Sequence, residues 1–188
     1  KALLPSGFSD NLYPKSERIS NLVEKIINYF SNYSYLRVNP PLIEFEDTLL
    51  SKGPGTSLKE NTFRIMDPDS KKMMALRPDM TTQISRIASS RMLHYPRPLR
   101  ISYSGDVLRV KPSSLNMERQ ITQVGAEIIG NVNQDLESEI ILITLDIFQS
   151  LNIKHLSIDL NFPILRKELL KNISKNASKQ IIQCIEKK

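Results

Sequence analysis

Five polar side chains in this chain of 188 residues have the types and spacing to hold a small zwitterion: Asp79, Thr81, Arg109, Gln123 and Glu127. They fall in three blocks, Leu76 to Arg86, Tyr103 to Arg109 and Gln123 to Gly130, each at what reads as a strand or a strand end. Converging on one sheet face, two carboxylates, an amide and a hydroxyl would surround an ammonium group. The arginine would take a carboxylate as a planar fork. That set is the complement of a free amino acid. A carboxylate in the apolar run Gly125-Ala126-Glu127-Ile128-Ile129-Gly130 needs a partner in any case. The residues alone leave two readings open, a ligand site or a structural ion pair of Glu127 with Arg109. Arg77-Pro78-Asp79 has its own bland reading, a helix cap with a local salt bridge.

Other chemistries are poorly served. One cysteine, Cys184, and two separated histidines, His94 and His155, make no ordinary zinc site. There is no Gly-x-x-x-x-Gly-Lys phosphate loop and no Gly-x-Gly-x-x-Gly dinucleotide turn. No Ser-His-Asp set can be proposed, so no catalytic residue, cofactor or metal is expected. A lone cysteine fits a reducing compartment, and with no long apolar run the expected location is the cytoplasm, away from any membrane. Net charge is +6, of which residues 152–188 carry +5, from eight basic and three acidic side chains. Those lysines lack interleaved aromatics, so a solvated surface is the expected reading and nucleic-acid binding is not.

The elements that must position the five residues can be read from periodicity. Ile19, Leu22, Val23, Ile26, Ile27 and Phe30 form one apolar stripe, which predicts a helix over 15–33 behind Pro14. Short strands are expected at 35–38 and 42–45. A hairpin follows, 62–66 and 73–77 about the turn Asp67-Pro68-Asp69-Ser70. A helix is expected over 80–91, capped by Thr81 or Asp79. Strands are expected at 99–103, 106–111 and 119–129, then a helix over 136–151, apolar on most sides and so buried. A strand at 155–160 and helices at 162–171 and 177–188 complete the reading. The predicted class is α+β, one antiparallel sheet flanked by helices.

At these residues the chain resembles the class II aminoacyl-tRNA synthetase core of the histidyl type. Leu4-Pro5-Ser6-Gly7-Phe8-Ser9-Asp10 is similar to the start of that family. Tyr35 to Glu44 resembles its first motif, which builds the dimer interface. Gly105 to Arg109 and Arg119 to Gly130 resemble its second. The resemblance covers roughly residues 3–160. It implies a core domain over 1–160 that stops before the third motif, then a helical basic segment, 161–188, that begins an insertion. A fragment or a natural truncation is therefore expected.

Two branches share this pattern. One is histidyl-tRNA synthetase itself, charging tRNA with histidine at the expense of ATP. The other is the regulatory subunit of ATP phosphoribosyltransferase, a relative without aminoacylation that activates the short-form catalytic subunit in histidine biosynthesis. Asp79-Met80 stands where synthetases carry Glu-Gly. Arg109-Val110-Lys111-Pro112 replaces their Arg-x-Glu-Arg, and of their Gly-Arg-x-Arg-Gln-Phe-x-Gln only the second arginine and the glutamines survive, as Arg119, Gln120 and Gln123. A phosphate clamp with one arginine lost and a base in place of a carboxylate suits adenylation poorly. The resemblance therefore implies the regulatory branch. Its expected effector is L-histidine, held at Asp79, Thr81, Arg109, Gln123 and Glu127. Its expected partners are a second copy of the chain and the catalytic subunit, in a hetero-oligomer.

Overall fold

The computed structural model describes residues 3–50, 58–112, 117–131 and 133–159. The chain divides into two units, Lys1–Leu151 and Asn152–Lys188. The first contains every regular element of the described residues. These are α1 (Lys15–Asn32), β1 (Leu36–Val38), β2 (Ile43–Phe45), α2 (Glu46–Leu50), β3 (Arg64–Met66), β4 (Met73–Leu76), α3 (Thr81–Ser89), β5 (Leu99–Leu108), β6 (Gln120–Ile129) and α4 (Gln134–Ser150).

The class is α+β, but the sheet is not single and not wholly antiparallel. One sheet runs β1-β5-β6 and the other β2-β4-β3. β1 lies parallel to β5, with Leu36 opposite Ile101 and Val38 opposite Tyr103. Parallel neighbours need a long crossover. Residues 39–98 supply it, and they use it to build the whole second sheet and α3.

β5 and β6 are the spine of the site. The two strands expected at 99–103 and 106–111 are one strand of ten residues. Ser104-Gly105 reads as a break in sequence, yet Ser104 pairs Val124 and Gly105 pairs Gln123 within an unbroken ladder. Residues directly opposite share a face. One face therefore carries Ile101, Tyr103, Gly105 and Val107 with Glu127, Gly125, Gln123 and Ile121. Met80, Ile84, Ala88 and Met92 pack onto its apolar part. On the other face lies a second core of Phe30 and Tyr35 with Ile143 and Ile147, joined by Ala126 and Ile128.

α4 departs from its expected burial. Only Ile143 and Ile147 are buried, and Leu142 is 59% exposed. The helix lies across one sheet face, so a stripe one turn apart is covered and the remaining apolar residues are not. In the second unit, residues 155–159 form no strand. Asn152 and His155 take φ of 58° and 61°, which interrupts extension there. Leu160 and the helices expected at 162–171 and 177–188 lie outside the described residues. No helix among the described residues is long and apolar enough to cross a membrane.

Candidate functional site

Arg77 explains why the chain entering α3 is held so firmly. Its side chain is buried, and its guanidinium donates to Asp106 O at 2.7 Å, to Pro40 O at 2.8 Å and to Gln83 Oε1 at 3.4 Å. Gln83 passes the network on to Pro41 O at 2.7 Å and Glu44 Oε1 at 2.9 Å, and Glu44 is ion-paired with Arg86. Arg77 is thus a bolt between both sheets and α3, not the local salt bridge of a cap. Burial depresses its basicity, and the charges of Asp106 and Glu44 oppose that.

Two residues beyond this bolt stands Asp79. Its Oδ1 accepts the Thr81 N–H at 2.7 Å. This satisfies one free donor at the start of α3, although the helix takes Met80 as its N-cap residue and no side chain caps it there. Gln123 arrives from β6. Its Nε2 donates to Asp79 Oδ2 at 3.0 Å, and its Oε1 accepts the Met80 N–H at 3.3 Å. Asp79, Thr81 and Gln123 therefore form one bonded group.

Glu127 lies four residues further along β6, on the same face. Its Oε1 accepts from the Tyr103 hydroxyl at 3.2 Å. Burial raises the Glu127 carboxyl above its ordinary value. Hydrogen bonds from Tyr103 and Thr81 pull it down, and the Asp79 charge pushes it up. Burial likewise pushes the Tyr103 hydroxyl up to about 12, against the Thr81 hydrogen bond. Thr81 and Tyr103 thus link the two carboxylates into one electrostatic unit.

Arg109 follows the last residue of β5. Its Nε donates to Pro78 O at 3.3 Å, which sets the guanidinium beside Asp79's own backbone. No ion pair joins Arg109 to Glu127 among the described residues; the carboxylate's protein partners are hydroxyl groups. The structural ion pair left open by the sequence is not formed.

Asp79, Thr81, Gln123 and Glu127 are thus linked over one face of β5–β6, with Glu127 opposite Ile101 toward one end of the ladder. Arg109 lies just past the other end and is tied through Pro78 O to the backbone beside Asp79, and all five are partly rather than fully buried. The sequence reading missed Tyr103. Its signal is visible once the register is known. Tyr103 stands opposite Gly125, and a Cβ on Gly125 would come within 2.6 Å of the Tyr103 Cζ and hydroxyl. The ring lies flat across the glycine, which is what brings its hydroxyl to Glu127. Chemically the group offers two acceptor carboxylates, neutral oxygens and one cationic fork.

The family model described as histidyl-tRNA synthetase matches residues 7–188. The chain belongs to the histidyl-tRNA synthetase family. Within it, the chain is 47% identical over 164 residues to the ATP phosphoribosyltransferase regulatory subunit of Rhodospirillum centenum, covering 87% of this chain and 42% of that protein. It is 43% identical to the protein of the same name from Gluconobacter oxydans, over all of this chain and 49% of that one. The chain thus spans about half the length of these curated relatives. Among solved structures, a histidyl-tRNA synthetase from a Nostoc strain superposes with a TM-score of 0.80 at 21% identity, covering 97% of this chain and 42% of that one. This likeness concerns the fold. A histidine–tRNA ligase subunit from Alicyclobacillus acidocaldarius gives 0.76 at 26% identity, over 98% and 53% of the two chains. The class II synthetase fold expected from the motifs is the fold of the family.

Proposed function

We propose that this chain is part of a non-catalytic regulatory subunit of ATP phosphoribosyltransferase that binds L-histidine and transmits feedback inhibition to a short-form catalytic subunit. The relatives' names support the partner, and the bonded group of Asp79, Thr81, Gln123 and Glu127 beside Arg109 supports the effector. The observation that carries the reading is a pair of electrostatically coupled carboxylates, Asp79 and Glu127, with the Arg109 side chain held on Pro78 O beside the Asp79 backbone. Asp79 and Glu127, helped by Thr81 and Gln123, take the ligand's ammonium, and Arg109 takes its carboxylate. An ammonium has three donors to place, and a cation between the carboxylates relieves their mutual repulsion.

Feedback then requires histidine to bind the less active arrangement of the complex more tightly than the active one. The same reading makes the protein a homodimer inside the hetero-oligomer. The β2-β4-β3 sheet supports this. Ile43, Phe45 and Ile65 share one of its faces with Met74 and Leu76, and they are 36%, 46% and 49% exposed. An apolar cross-strand cluster of this kind marks an association surface.

The test is phosphoribosyl-ATP formation by the short-form catalytic subunit of the same organism, with and without the full-length protein and with and without histidine. Activity that depends on this protein and falls with histidine is the expected result. No stimulation, together with ATP-dependent charging of tRNA, would turn the assignment to the synthetase branch.

A further inference from the structure

One strongly built cluster is left unused by the reading above. Arg119, one residue before β6, places its guanidinium carbon 5.4 Å from the Phe8 ring centre and 4.6 Å from that of Phe63. The two rings are 6.2 Å apart and tilted by 57°. Arg119 Nε donates to Arg109 O and Nη1 to Ser6 O, each at 3.3 Å. Its backbone continues the pattern. Arg119 N donates to Gly7 O at 2.7 Å, and Arg119 O accepts from Arg109 N at 2.8 Å. Gly7 has a φ of +81°, and a Cβ there would stand 2.6 Å from Cγ and Cδ of Arg119. The loop at 6–8 therefore lies directly on the arginine's stem. Asn61, two residues before Phe63, accepts Val110 N through its backbone at 3.1 Å and Lys111 N through its side chain at 2.6 Å.

Three segments far apart in sequence thus meet on Arg119, and both backbone polar groups of Arg109 are bonded to it. From that fixed backbone the Arg109 side chain reaches Pro78 O. A guanidinium with aromatic rings against it and its donors on carbonyls is a strut. A lysine has neither the planar faces nor the Nε–H that reaches Arg109 O. A planar fork recognises a carboxylate only when it is held close to the right geometry.

We infer that Arg119, clamped by Phe8 and Phe63, is the positioning residue that aims Arg109 at the ligand's carboxylate, so that the loop at residues 6–8 belongs to the specificity of the site. This rests on the reading of Arg109 as the carboxylate-binding group.

The test is calorimetric titration of the full-length protein with L-histidine and with L-histidinol, which keeps the ammonium and the imidazole but lacks the carboxylate. Arg119→Lys and Phe8→Leu are expected to weaken histidine about tenfold and to leave histidinol within about twofold. Arg109→Ala is the reference and is expected to show the same selective loss. If Arg109→Ala is selective while the other two variants bind histidine like the wild type, the inference is overturned and the parent reading stands. If Arg109→Ala leaves the preference for histidine unchanged, the parent reading falls and takes the inference with it. Equal losses of both ligands in Arg119→Lys and Phe8→Leu would make Arg119 merely structural and overturn the inference. The histidinol titration also reports whether each variant is folded.

Discussion

Gln123 and Asp79, 44 residues apart in sequence, are joined side chain to side chain at 3.0 Å, and the same amide also accepts the Met80 N–H at 3.3 Å. One glutamine thus ties β6 to the entry of α3 and uses both ends of its amide to do so. An amide is the side chain for this place, because it donates to a carboxylate and accepts from a backbone N–H at once.

Gln123→Glu removes the donor and sets a carboxylate against Asp79. The variant is expected to lose about 1–3 kcal/mol in urea unfolding and to recover part of this in acid, where either carboxyl becomes protonated. An unfolding midpoint equal to that of the wild type at neutral pH would mean that the amide bridge does not form.

Glu127 has a folded-state pKa raised above its ordinary 4.5. The folded protein therefore holds this proton more tightly than the unfolded chain. Ionised Glu127 opposes folding, and the penalty grows as pH rises from 4.5 through the raised value. Glu127→Gln is expected to be more stable than the wild type at neutral pH and to lose that advantage below the carboxylate range. Histidine affinity should move in the opposite sense. In the wild type it rises with pH as Glu127 ionises, and in Glu127→Gln this rise is absent and affinity is low throughout. Calorimetry across the acid range checks both slopes. A wild-type affinity that is flat through this range would remove Glu127 from the ammonium site.

Gly125→Ala adds a Cβ where the Tyr103 ring lies. The ring must swing away and give up Glu127. We expect a loss of about 1–3 kcal/mol in stability, with weakened histidine binding. Tyr103→Phe keeps the ring and removes only the hydroxyl. It should cost about 0.5–1.5 kcal/mol and raise the Glu127 carboxyl further, since the lost bond favours the ionised form. Titration of the Glu127 carboxyl by NMR reads this shift directly.

Arg100 and Glu139 form a bidentate pair, at 2.8 Å and 2.6 Å, that fastens α4 to β5, and Tyr35 donates to the same carboxylate at 3.2 Å. The Arg100 hydrogen bond holds the Glu139 carboxyl below its ordinary value. Its stabilisation is therefore present above the unfolded-state value of 4.5 and is lost as pH falls through the lower folded value. Both side chains remain about a quarter exposed, so Glu139→Gln should cost only about 1 kcal/mol at neutral pH. A cost that persists undiminished in strong acid would show that packing, and not charge, is lost.

Phe45→Lys and Ile65→Lys put charge on the apolar face of the β2-β4-β3 sheet. Both residues are already exposed, so the fold should tolerate the change within about 0.5 kcal/mol. On the proposed homodimer, sedimentation velocity of the full-length proteins is expected to show a dimer for the wild type and monomers for both variants. Unchanged dimers would place the interface elsewhere.

Much of this was legible in the sequence because it is local or periodic. The stripe from Ile19 to Phe30, the hairpin about Asp67 and the polar residues at strand ends follow from spacing of 3.6 or 2 residues and from turn chemistry. Of the five candidate residues, Glu127 stood out as a carboxylate where a strand wants apolar groups, and the full set came with the resemblance to the synthetase core. Their class was set by residue type alone, since two carboxylates and an arginine suit a zwitterion wherever they meet.

Tertiary structure decided what depends on partners distant in the chain. Whether Ser104-Gly105 ends a strand depends on whether β6 pairs across it, and it does. Whether β1 runs parallel to β5 depends on what the crossover of 39–98 is used to build. Whether Glu127 meets Arg109 or Tyr103 depends on the β5–β6 register, which puts Tyr103 against a glycine and leaves room for its ring. The packing of Arg119 against Phe8 and Phe63 brings together residues far apart in the sequence. No local pattern encodes such a meeting, because burial and pairing reward contacts formed in space, while sequence periodicity records only which way each side chain faces.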